Sequence, residues 1–153
     1  MNKDKITEIL ATITSDLAKR KYKLLYVTLM GSSLYGTSTE SSDIDVKFIF
    51  MPSTEDCVLG VASSNININS SNDNTRNTKD DIDIQGWSVQ FFLNLLNKGD
   101  TNALDVLFSY TNENCVLYMD SLYCNHILFQ SDMLYDKNNL RGLLGYIVTQ
   151  FLS

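Results

Sequence analysis

The chain has 153 residues, of which 44% are hydrophobic and 20% charged, with a net charge of -6. These values sit near globular averages and exclude a wholly disordered chain, a collagen-like repeat and a small disulfide scaffold. No apolar stretch approaches the roughly 18 residues of a membrane span, and the N-terminal MNKDKITEIL lacks the apolar core of a signal peptide, so no membrane partner and a cytoplasmic location are expected.

The charge is uneven. Residues 1–50 carry seven basic and six acidic side chains, and residues 51–153 carry five and twelve. An acidic body argues against tight, sequence-independent binding of nucleic acid, which relies on neutralising phosphates. A metal-bridged nucleotide is compatible with it, because the metal brings its own positive charge. The three cysteines, Cys57, Cys115 and Cys124, are odd in number and widely spaced, as expected of reduced thiols. With His126, the last two match no structural zinc spacing.

In chain order, Ile6, Ile9, Leu10, Ile13 and Leu17 recur at helical spacing and predict an amphipathic helix over about 4–20. Leu24 to Met30 is a short apolar run rich in strand formers that stops at Gly31, which predicts a buried strand. Residues 31–42 are small and polar and predict a turn followed by a loop. Asp43 to Met51 alternates and then becomes apolar, predicting a second strand that Pro52 ends. Residues 63–80 are mostly Ser, Asn, Asp and Thr and predict a flexible surface insertion. Asp81 to Gln85 alternates as a third strand, which Gly86 is expected to break before a helix from Trp87 to Asn97. Lys98-Gly99 suits a helix C-cap, and Thr101-Asn102 suits the N-cap of a helix through Phe108. Residues 115–153 are expected to be helical, and the whole chain, 1–153, is expected to be one domain.

The chemistry concentrates on three acidic strand positions. Asp43 and Asp45 are two apart on one strand and therefore share a face. Carboxylates this close repel each other, and a hard divalent cation resolves the repulsion. Asp83 offers a third carboxylate at the head of another strand, with Asp81 an alternative on the same face. Three carboxylates from adjacent strands are what two-metal phosphoryl transfer requires. Gly31-Ser32 supplies the complementary half: a glycine admits backbone close to a ligand, and exposed N–H groups with the Ser32 hydroxyl can hold phosphate oxygens. Lys47 shares the face of Asp43 and Asp45, where it can neutralise a carboxylate or touch phosphate. Trp87 reads as a core residue, His126 as a helix-surface or packed histidine, and Arg76 and Lys79 as part of a solvated loop.

The order Gly31-Ser32, Tyr35-Gly36-Thr37, Ser42-Asp43-Ile44-Asp45 and Asp83-Ile84-Gln85-Gly86-Trp87 resembles the polymerase-beta-like nucleotidyltransferase superfamily, in particular a bacterial and phage subgroup. The segment from Asn97 to Asp105 resembles the turn and acidic helix that follow in that subgroup, with Asp105 where Glu is usual. The resemblance implies an α+β fold: a small mixed sheet with helices packed on one face and a helical C-terminal part. It implies Mg²⁺ or Mn²⁺ held by Asp43, Asp45 and Asp83, and a nucleoside triphosphate, with ATP expected first, contacted by Gly31, Ser32, Tyr35, Ser42 and Lys47. The implied reaction moves a nucleoside monophosphate to a hydroxyl acceptor and releases pyrophosphate. The acceptor can be an RNA end, a protein or a small molecule. Members of the subgroup are longer, so a shortened version, or reliance on a protein partner or a second copy, is also implied. The alternative from a different class is a catalytically weak nucleotide- or partner-binding module of the same fold, antitoxin-like or regulatory. The intact set of three carboxylates favours activity.

Overall fold

The computed structural model describes residues 3–37, 43–69 and 82–135. Helix α1 (Lys3–Arg20) leads into strand β1 (Lys23–Leu29), followed by a single 3-10 turn at Gly31–Ser33. Strand β2 (Ile44–Met51), helix α2 (Thr54–Leu59), strand β3 (Asn65–Asn69) and strand β4 (Ile82–Ser88) come next. Helices α3 (Val89–Asn97) and α4 (Thr101–Phe108), strand β5 (Val116–Met119) and the short helices α5 (Ser121–His126) and α6 (Ser131–Leu134) complete the order.

The five strands form one mixed sheet in the order β3-β4-β2-β1-β5. Three neighbouring pairs are antiparallel; the central pair, β2 with β4, is parallel. The expected small mixed sheet is therefore present. Helices cover both of its faces rather than one. Ile9, Ile13 and Leu17 of α1 pack with Val27, Val46, Phe48, Phe50 and Ile84 on one face. Phe92 and Leu96 of α3, Val106 and Leu107 of α4, and Tyr123 of α5 pack with Leu25, Tyr26, Ile49 and Trp87 on the other. Alternation along β2 explains the division, since Val46, Phe48 and Phe50 point one way and Asp45, Lys47 and Ile49 the other. A register shift between Leu24 and Tyr26 lets the consecutive Leu25 and Tyr26 join the same cluster.

Three elements differ from expectation. Asn65–Asn69 falls within the segment read as a flexible insertion and instead pairs antiparallel with β4 as an edge strand. Its alternating Asn-Ile pattern buries Ile66 on the α1 side. Gly86 does not break β4, which continues through Trp87 to Ser88, and the following helix starts at Val89. There the Ser88 side chain accepts a hydrogen bond from the Phe91 N–H at 3.2 Å, which caps α3. Val116–Met119, in the part expected to be helical, is a strand paired with β1, because its residues complete the edge beside Tyr26 and Val27. The expected helix beyond residue 135 lies outside the described residues, as do Arg76 and Lys79.

Gly99 ends α3 with φ +70, the left-handed conformation a helix-terminating glycine adopts. The cap of α4 is Asp100 rather than Thr101-Asn102: its carboxylate accepts from the Ala103 N–H at 3.0 Å. This tight α3–α4 turn brings the first turn of α4 beside the acidic end of the sheet.

Candidate active site

The parallel register of β2 and β4 sets Asp45 directly beside Asp83, and Lys47 beside Gln85. All four side chains point to the face covered by α3 and α4. Asp43 precedes β2 and is exposed. Ser42 and Asp81 lie outside the described residues.

Gly31 closes one side. The Met30 N–H donates to the Asp45 carbonyl at 2.9 Å, extending the β1–β2 ladder to the point where the chain turns. Gly31 has φ +58, and a Cβ built on it would lie 2.5 Å from Asp45 Oδ2. Only glycine relieves both constraints, so backbone and carboxylate share a space that a methyl group would occupy. The turn is held by Leu34 N–H donating to the Gly31 carbonyl at 3.1 Å and Thr37 N–H to the Ser32 carbonyl at 2.9 Å.

A cavity of about 430 Å³ opens here. Asp45, Lys47, Asp83 and Gln85 form its sheet wall, Met30, Gly31 and Tyr35 its turn wall, and Thr101, Asn102 and Asp105 its α4 wall. The Tyr35 hydroxyl donates to Asp105 Oδ2 at 2.7 Å, so the turn and α4 are joined. Of the nucleotide-contact residues expected from sequence, Gly31, Tyr35 and Lys47 line the cavity. Ser32 belongs to the same 3-10 turn without lining it. Gln85, Thr101 and Asn102 were not singled out. Alternation with Asp83 along β4 was the available signal for Gln85; Thr101 and Asn102 had only their place at the start of α4, which gives no hint of which strand the helix faces.

The electrostatics are dominated by crowded carboxylates. Burial, then the neighbouring Asp83 and Asp43, push the Asp45 carboxyl above the ordinary carboxylate range, against the opposing pull of Lys47. Burial lowers the Lys47 ammonium, while Asp83, Asp45 and Asp100 act to raise it. Lys47 Nζ lies 4.7 Å from the centroid of the Trp87 ring, a cation–π contact that steadies it at the cavity wall. Trp87 itself is 7% exposed and packs in the core. His126 is exposed at the end of α5 and does not line the cavity.

The donor set suits a hard divalent cation: oxygen ligands only, carrying mutual repulsion that such an ion relieves. Among the described residues no three His, Cys, Asp or Glu side chains gather into a ready-made metal cage. Asp45 and Asp83 match the two-carboxylate arrangement in which Mg²⁺ takes its remaining ligands from substrate and water.

A family model described as an RNA repair pathway DNA polymerase beta family matches residues 3–120. The chain belongs to this family. The match covers every residue of the cavity and agrees with the polymerase-beta-like signature read from Gly31-Ser32 and Asp43 to Asp45. A relative from Enterobacteria phage T4, an uncharacterized 38.9 kDa protein in the nrdC-mobD intergenic region, is 33% identical over 128 residues. That alignment covers 84% of this chain and 38% of the phage protein, so the chain spans well under half the length of that relative. Among the described residues no helix is long and apolar enough to cross a membrane.

Proposed function

We propose that the chain is a metal-dependent nucleotidyltransferase that moves a nucleoside monophosphate from a nucleoside triphosphate to a hydroxyl acceptor. The observation that carries this reading is the in-register pairing of Asp45 with Asp83 on parallel strands, beside the Gly31 turn and in one cavity. In the reaction the acceptor oxygen bonds to the α-phosphorus, the bond to the bridging oxygen breaks, and pyrophosphate leaves.

Asp45 and Asp83, with Asp43, are the residues to hold Mg²⁺ or Mn²⁺. A cation bound there would supply neutralisation of phosphate charge and a lower pKa for the attacking hydroxyl. The chain's own contribution is positional. The Gly31–Ser33 turn at the cavity edge would offer backbone N–H groups to phosphate oxygens, and the Ser32 hydroxyl, which does not line the cavity, would have to turn inward to join them. Lys47, held over Trp87, adds a fixed positive charge on the sheet wall. Asp83, exposed at the strand head, would either share in holding the cation or take the acceptor's proton. Catalysis of this kind rests on orientation and preorganised charge, which a rigid sheet supplies.

The test uses the native protein with Mg²⁺ or Mn²⁺, each α-labelled nucleoside triphosphate in turn, and a whole-cell extract as the acceptor pool. Transfer of label onto an RNA, protein or small-molecule fraction is expected, with ATP the first nucleotide to try. A folded Asp45→Ala variant should transfer none. Absence of transfer with every nucleotide would sink the transferase reading and favour a nucleotide- or partner-binding module.

A further inference from the structure

Asp105 is the acidic residue of the cavity that the transfer chemistry leaves without a role. It lies on the α4 wall, with Asn102 one helical turn before it. Among the described residues it does not join Asp45 and Asp83 in a metal-holding trio. A carboxylate only accepts hydrogen bonds and repels phosphate, so on this wall it selects a ligand that donates.

The Tyr35–Asp105 bond at 2.7 Å connects segments 70 residues apart in sequence. The fold does not depend on it, because Tyr35 is 64% exposed and a solvent-exposed hydrogen bond contributes little net stability. Its effect is to orient the carboxylate at the cavity wall. Asn102 adds an amide that both donates and accepts. A carboxylate beside an amide matches a sugar hydroxyl, which itself donates and accepts.

We propose that Asp105, positioned by Tyr35 and flanked by Asn102, binds a ribose hydroxyl in the cavity and makes the protein select ribose over deoxyribose. This rests on the nucleotidyltransferase reading and adds a sugar specificity to it. The hydroxyl can belong to the nucleotide or to the terminal sugar of the acceptor; the chemistry is the same, and the experiment separates them.

In the first arm, calorimetry with Mn²⁺ compares ATP and 2′-deoxy-ATP binding to the native, Asp105→Asn and Tyr35→Phe proteins. In the second, RNA and DNA oligonucleotides of one sequence compete as acceptors for labelled nucleotide. The native protein should favour ribose by about 10- to 100-fold in one arm, less than a fully enclosed hydroxyl site delivers. Both variants should bring that ratio to within about threefold of unity, a change that loss of packing alone does not produce. The arm that responds identifies which sugar is read. Equal use of ribose and deoxyribose by the native protein in both arms overturns the proposal and leaves the transferase reading standing. So does a ratio that survives Asp105→Asn. A native protein that binds neither nucleotide overturns both readings together.

Discussion

Asp45→Asn is expected to reduce nucleotidyl transfer at least ~10²-fold while making the metal-free fold more stable at neutral pH, by about 2 °C after allowing for solvent screening. The loss follows from removing the carboxylate at the meeting point of β2, β4 and the Gly31 turn. The gain follows from linkage. Burial and the neighbouring Asp83 and Asp43 raise the Asp45 pKa in the folded chain above its unfolded value. At neutral pH the native state therefore holds a charge that its surroundings disfavour. As pH falls through the raised folded value, the native state takes up a proton that the unfolded state does not yet bind, and this residue's contribution turns towards stability. The variant lacks that titration, so its advantage should be largest at neutral pH and fade on acidification. Melting curves in chelator at pH 7 and at progressively lower pH measure the difference. Added Mg²⁺ should reverse the order by stabilising only the native protein. A variant less stable than the native chain at pH 7 without metal would show that the Asp45 charge is not a strain on this fold.

Gly86→Ala should cost about 2–3 kcal/mol, enough to lower the melting midpoint by roughly 5–10 °C in a domain of this size. Gly86 pairs with Phe48 across the parallel strands, and a Cβ added at Gly86 would collide with the Phe48 ring edge. Phe48 is fully buried with its ring tilted against Phe50 at 6.0 Å, so it has little room in which to move. The pairing lies three residues along from Asp45 and Asp83 on both strands, so the cost also reaches the site through strand register. Phe48→Leu in the same chain should recover a measurable part of the loss, and a double-mutant cycle gives the coupling. Additive effects of the two substitutions would show that ring and glycine do not compete for the same space.

Much of this was legible because β1, β2 and β4 carry strong alternation and end in chemically distinctive residues. Asp43, Asp45 and Lys47 could be placed on one face by counting along their strand. The adjacency of Asp45 and Asp83 could not, because strand order is not a property of either segment alone. Asn65–Asn69 was hidden by composition: Asn65 and Asn67 occupy the face opposite Ile66, so a paired strand reads as a polar loop. Val116–Met119 is too short to show a period, and its strand state is imposed by pairing with β1. Gly86 has the local appearance of a breaker, and only the ring across from it explains its place inside a strand. The α4 wall was unreadable for a similar reason, since the contact between Tyr35 and Asp105 is made by the topology.

The Lys47–Trp87 contact has an optical consequence. Trp87 is the sole tryptophan of the chain, and its indole face carries the ammonium at 4.7 Å. Tryptophan emission, excited where tyrosine does not absorb, therefore originates at one ring whose electronic surroundings include a charge on the cavity wall. An anion that drew Lys47 inward would change the field across that indole, and a cation held by Asp45 and Asp83 would change it with the opposite sign. The unlabelled chain thus carries its own fluorophore beside the cavity wall, and its wavelength and intensity should shift when an anion or a cation enters the cavity.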